Sequence, residues 1–169
     1  MINFSGKFRF MLLAILMTVC SSLSVNAQRA SFSGNWKLDE SKSELGEFGS
    51  RVAALSVKAD QKDDAITVTK TTPGFNGGDP MTTTLTLTYD GKVSESEGFG
   101  GAKRKSTAKW SDDGKTLTIS SNMVLERDGQ SIEIKSTENW TLTKDGLLSI
   151  VTNSSSPRGE MTIKAVYTK

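Results

Sequence analysis

Histidine is absent from all 169 residues, and the one cysteine, Cys20, falls in a segment expected to be removed. The commonest metal ligands are therefore missing, and so are the usual nucleophile and base pairs. No metal, no cofactor and no enzymatic activity is expected. No disulfide can form in the remaining chain, so stability must come from packing and strand pairing. Charge of one sign is also lacking beyond the leader. Without Lys7 and Arg9 the basic residues number 19, equal to the 19 acidic ones. A neutral domain with scattered charges has no basic field to hold nucleic acid.

The one long apolar run lies at the start. Lys7 and Arg9 precede an apolar core from Met11 to Val19, and Val25-Asn26-Ala27 comes before Gln28. This is the layout of a secretory signal peptide, with a core too short to span a bilayer. Residues 1–27 are read as the leader and 28–169 as one domain, secreted or periplasmic and monomeric. An alternative makes Cys20 the acylated first residue of a lipoprotein, although Met17-Thr18-Val19 suits that processing poorly. No transmembrane segment is expected after leader removal.

From Ser33 onward Thr, Val, Ile and aromatic residues alternate with polar ones in short runs. Asp90-Gly91, Asp113-Gly114, Asp128-Gly129 and Asp145-Gly146 separate successive runs, and Asp-Gly is a strong hairpin signal. Strands are expected near 33–39, 52–60, 64–71, 82–89, 92–97, 103–110, 115–125, 130–143, 147–153 and 160–168. An antiparallel sheet this long curls, and closure removes its exposed edges. The expectation is an all-β, single up-and-down antiparallel β-barrel of about 8–10 strands, with a short helical or irregular lid over Asp39 to Ser50.

Phe32-Ser33-Gly34-Asn35-Trp36-Lys37-Leu38-Asp39 opens this domain and resembles the Gly-x-Trp signature of the calycin barrels, the lipocalins and fatty-acid-binding proteins. The likeness implies that Trp36 plugs the closed end and that the interior holds a small apolar ligand. The strand count looks like the fatty-acid-binding branch, whereas the leader suits the secreted lipocalins. The former branch holds its ligand's carboxylate with an Arg-x-Tyr pair on the last strand. Here Ala165 stands two residues before Tyr167, so only Tyr167 carries over as a ligand contact.

Period two assigns faces, and it points Trp36, Ile66, Val68, Leu85, Leu87, Leu117, Ile119, Trp140, Leu148, Ile150 and Ile163 inward. The same faces carry Lys70, Glu95, Arg104, Ser136 and Glu138 inward. Unpartnered buried charge is costly, so either a hydrated cavity hosts these groups or a β-bulge reverses the face. On the first reading Arg104 binds a polar head or pairs with Glu95 or Glu138.

In a meander alternate connections share an end, which puts the loops carrying Phe75 and Phe99 together with the lid. Each ring is flanked by glycines. Each serves either as a hydrophobic gate or as a cap folded onto the rim. These glycine-rich loops lack the Gly-Lys-Ser ending and the helix of a phosphate cradle.

The sequence thus suggests a lipocalin-like binding protein for a small apolar or amphipathic ligand. Its candidate contacts are Trp36, Phe75, Phe99, Arg104, Trp110, Trp140 and Tyr167. The rival is a filled barrel acting as a structural or protein-interaction domain of the cell envelope. A weaker third reading is a hydrolase using Asp63-Asp64, Asp112-Asp113 or Glu95 with Glu97.

Overall fold

The computed structural model describes residues 28–74, 77–98, 101–127 and 129–169. The expected leader with Cys20, and also Phe75, Phe99 and Asp128, lie outside the described residues. The strands are β1 (Gly34–Leu38), β2 (Ser56–Gln61), β3 (Ala65–Thr72), β4 (Met81–Thr88), β5 (Ser94–Glu97), β6 (Lys103–Trp110), β7 (Leu117–Arg127), β8 (Gln130–Leu142), β9 (Leu148–Ser156) and β10 (Gly159–Thr168). A 3-10 turn (Glu40–Lys42) and one short helix, α1 (Gly46–Val52), follow β1.

All ten strands form one antiparallel sheet in the order β4-β3-β2-β1-β10-β9-β8-β7-β6-β5. Pairing of β1 with β10 curls the sheet into a nearly closed barrel, and the seam falls between β4 and β5. The aspartate turns work as the sequence implies. Asp113 Oδ1 accepts from Ser111 Oγ at 2.7 Å and from the Lys115 amide at 3.0 Å, while Gly114 takes φ 67°. Asp90 repeats the arrangement with Thr88 and Lys92.

One end of the barrel is a floor of aromatic rings. Phe32 is fully buried, stacked on Trp110 at 5.5 Å and edge-on to Trp140 at 5.9 Å. The chain entering β1 is laced beneath it: Gln61 Oε1 accepts from the Phe32 amide at 2.9 Å, and Gln61 Nε2 donates to Ala30 O at 2.9 Å. Trp36 Nε1 donates to Phe32 O at 2.8 Å. The Phe32 amide and carbonyl and the Gln61 side chain are satisfied from within the chain, whereas the buried Trp110 Nε1 and Tyr89 hydroxyl beside them have no partner among the described residues.

The other end carries the lid. Glu44 and Lys164 exchange backbone hydrogen bonds at 2.7 and 2.9 Å, and the Val166 amide donates to Ser43 Oγ at 2.9 Å. The segment after β1 thereby extends along β10. Gly49 of α1 is buried against Ile163, and a Cβ built there would lie 2.8 Å from Leu45 Cβ and 3.0 Å from Ile163 Cγ2. Phe48 and Val52, four residues apart on α1, remain 57% and 48% exposed.

Candidate functional site

The registers of β3, β6 and β8 with their neighbours run without a break, so no bulge reverses their faces. Lys70, Arg104 and Glu138 accordingly share the inward side with Val68, Ala108 and Trp140. Lys70 Nζ reaches Glu138 Oε1 at 2.5 Å and Oε2 at 2.6 Å, joining β3 to β8 across 68 residues of sequence. Trp140 Nε1 donates to Glu138 Oε2 at 2.9 Å, and Lys70 Nζ lies 5.5 Å from the Trp140 ring centre. The two charged side chains keep 23% and 20% of their area accessible, as groups lining a cavity do.

Burial alone would push the Glu138 carboxyl up. The Lys70 charge and hydrogen bonds, the Trp140 N–H and the Arg104 charge outweigh it and hold the carboxyl below its usual range. Burial likewise raises Tyr167, and the Glu138 charge adds to the effect.

A cavity of about 40 Å³ lies among these groups, lined by Val68, Leu85, Leu87 and Ile119 and by Lys70, Thr83, Arg104, Ser121 and Glu138. Its β3 and β4 wall is mostly apolar, and its β6, β7 and β8 wall mostly polar. Ser106, buried beside it, shares a 2.8 Å hydrogen bond with Ser121. Toward the mouth, Met123, Leu125, Ile132 and Ile134 follow on the same inward rows and are only half-buried. A separate open groove of about 390 Å³ runs over residues 135–137, 153–155 and 160–162; hydroxyl and amide side chains dominate it.

The candidate contacts part company in space. Trp36, with 2% exposure, lies in the floor under Lys169, whose Nζ is 5.0 Å from its ring centre. Trp110 and Trp140 join the same floor cluster rather than the walls. Tyr89 packs edge-on to Trp110 at 5.7 Å and lies beneath the Arg29 guanidinium at 5.0 Å. Burial pushes the Tyr89 hydroxyl up to about 12, with the Arg29 charge opposing it. Tyr167, buried in β10, faces the lumen near Glu138.

Glu95 is a correction. Pairing of Ser96 with Arg104 and of Glu95 with Lys105 turns Glu95 outward, where it is 73% exposed and 3.4 Å from Lys105 Nζ. Among the described residues only Glu138 remains as an acidic partner for the lumen. Lys70 and Glu138 were visible in the sequence as charges on an apolar face, yet nothing local marked them as a pair. Ser106 was readable from its shared parity with Arg104.

The strand count, the β1–β10 closure and the lid after the first strand decide the architecture. The fold is a calycin-like barrel. No protein-family model matches the sequence, and no curated protein matches it significantly. Among solved structures this barrel is similar to zebrafish ileal bile acid-binding protein complexed with cholic acid. The TM-score is 0.53 at 19% identity, covering 83% of this chain and 99% of that one. The calycin-like barrel here has ten strands, as the fatty-acid-binding branch of the resemblance implied, rather than eight.

Proposed function

We propose that this protein is a non-enzymatic secreted or periplasmic carrier whose barrel takes a small apolar or amphipathic molecule, polar end first. The observation that carries this reading is the placement of Arg104 in the lumen beneath a half-exposed apolar wall. Among the described residues no carboxylate lies within ion-pair distance of its guanidinium, whose hydrogen-bond contact is Met123 Sδ at 4.0 Å. A half-buried guanidinium facing the lumen favours a polar partner. A ligand head would supply it, with the apolar body lying against Met123, Leu125, Ile132 and Ile134. Trp36 seals the floor, with Trp110 and Trp140 beside it, and Tyr167 lines the lower lumen. The short helix α1, packed on β10 at the mouth, acts as the gate. The zebrafish neighbour's complex with a small molecule agrees with a ligand-holding barrel.

The filled-barrel rival is favoured by one observation. A cavity of about 40 Å³ is far smaller than the roughly 300–1,000 Å³ of ordinary ligand pockets. Carriage therefore requires α1 to swing from the mouth when the ligand enters. Native mass spectrometry of the purified protein tests the reading. Co-purifying lipid-like mass that leaves on organic extraction supports carriage. Bare polypeptide that also ignores a panel of fluorescent lipid probes overturns it in favour of the filled barrel.

A further inference from the structure

We propose that Met123 is a site of oxidation by peroxides, whose sulfoxide oxygen binds the Arg104 guanidinium and so blocks the polar end of the lumen. The blocking effect rests on the carrier reading, whereas the sulfoxide–guanidinium bond does not. Met123 of β7 and Arg104 of β6 stand directly opposite each other, and both face inward. The ladder therefore holds the pair together independently of anything in the lumen. Arg104 Nη2 donates to Met123 Sδ at 4.0 Å, and a thioether sulfur is a weak, neutral acceptor.

Oxidation changes the acceptor and keeps the partner. A sulfur lone pair attacks one oxygen of the peroxide, an S–O bond forms and the O–O bond breaks. With hydrogen peroxide the departing hydroxide takes the proton from the transferred oxygen and leaves as water, so sulfur loses two electrons and the peroxide gains them. Met123 is half-buried near the mouth, within reach of so small an oxidant. The 4.0 Å between Sδ and Nη2 accommodates, along a bent path, one S–O bond and a charge-assisted N–H···O contact of about 2.7–2.9 Å. Gly98 crowds another flank of the sulfur, since a Cβ built there would fall 2.5 Å from Sδ. Oxygen is thereby steered toward Arg104, which selects one of the two sulfoxide epimers.

The product is an internal competitor. Its oxygen takes the guanidinium that a ligand head would engage, and the tether keeps it there at high effective concentration. The apolar wall also becomes polar at Met123. Reduction of the sulfoxide reverses both changes.

Hydrogen peroxide treatment of the full chain, followed by peptide mass mapping, tests the site, with exposed Met81 and core-packed Met161 as comparators. The two stereospecific sulfoxide reductases identify the epimer, and NMR follows the Arg104 side-chain N–H resonance. Met123 is expected to give mainly one epimer and Met81 both. The Arg104 resonance should move on oxidation and return after reduction. Calorimetric titration with laurate should show binding weakened at least about tenfold by oxidation. The same treatment should leave the laurate affinity of Met123→Leu where it began; if that variant fails to fold, recovery of wild-type binding after reduction serves instead. A peroxide dose that oxidises Met81 and spares Met123, equal epimers at Met123, or an unmoved Arg104 resonance overturns the proposal. A moved resonance with unchanged laurate affinity overturns the blocking effect and leaves the bond. Failure of the untreated protein to bind laurate overturns the blocking effect together with the carrier reading, while the epimer and the resonance still decide on the bond.

Discussion

At the scale of single residues, the Lys70–Glu138 pair is expected to contribute little net stability and yet to be costly to break. Its two charges are drawn from water, and their attraction must first offset that desolvation. Glu138→Ala leaves Lys70 stranded and should cost about 3–5 kcal/mol in urea unfolding, whereas Lys70→Met/Glu138→Leu should be neutral or more stable by about 1–4 kcal/mol. The pair also sets a pH dependence. The Glu138 carboxyl is held below its ordinary value of 4.5, so it binds fewer protons folded than unfolded. Its contribution is complete at neutral pH and is lost as pH falls from near 4.5 through the lower folded value. Thermal melts against pH should show this loss in the wild type and a smaller one in Lys70→Met/Glu138→Leu. Exposed carboxylates that are also depressed, Asp90 and Asp113 among them, act in the same direction. The ion pairs at the surface are the ones that salt screens. In the floor, Phe32→Ala removes a fully buried ring that touches two tryptophans and should cost about 3–5 kcal/mol.

At the scale of elements, the lid hangs on a close approach. Gly49 is buried where a side chain would overlap Leu45 and Ile163, so Gly49→Val should lift α1 off β10. Limited proteolysis would then cut within residues 39–52 faster than in the wild type, while the barrel strands stay resistant. The strands themselves were largely legible in the sequence. The expected span 103–110 coincides with β6, and the others differ from the observed ends by four residues at most. Alternation and Asp-Gly turns suffice for that, because both are local. Height along the barrel is not local. Period two gave Trp110 and Trp140 a face, but the stagger of paired strands put them in the floor. Glu95 was misassigned because the five residues from Tyr89 to Val93 reset the face between β4 and β5. The Lys70–Glu138 contact depends on the width of the closed lumen, which no single strand encodes. The floor role of Arg29 to Phe32 rests on Gln61, about thirty residues away.

At the scale of the molecule, the barrel is closed everywhere except along one line. The Tyr89 amide donates to Asp64 O at 2.9 Å, so odd-numbered residues of β4 bond to β3 and the even ones face the seam. There Ser94 Oγ donates to Thr86 O at 2.7 Å. The Gly98 amide bonds Ala102 O at 2.7 Å, which by the same parity turns the Glu95 and Glu97 backbone toward the opening. Hydrogen exchange followed by NMR should therefore alternate along β4. The amides of Thr82, Thr84 and Thr86 are expected to exchange fast and those of Leu85 and Leu87 slowly, whereas uniform protection would mean that the strands had zipped together.

That line has a mechanical consequence. A tube slit along its length resists bending almost as well as an intact one but yields readily to torsion, because shear no longer circulates around the wall. Thermal wringing of this protein should therefore gather at the Ser94–Thr86 rivet, sliding β4 past β5 while the nine continuous strand pairings move as a shell.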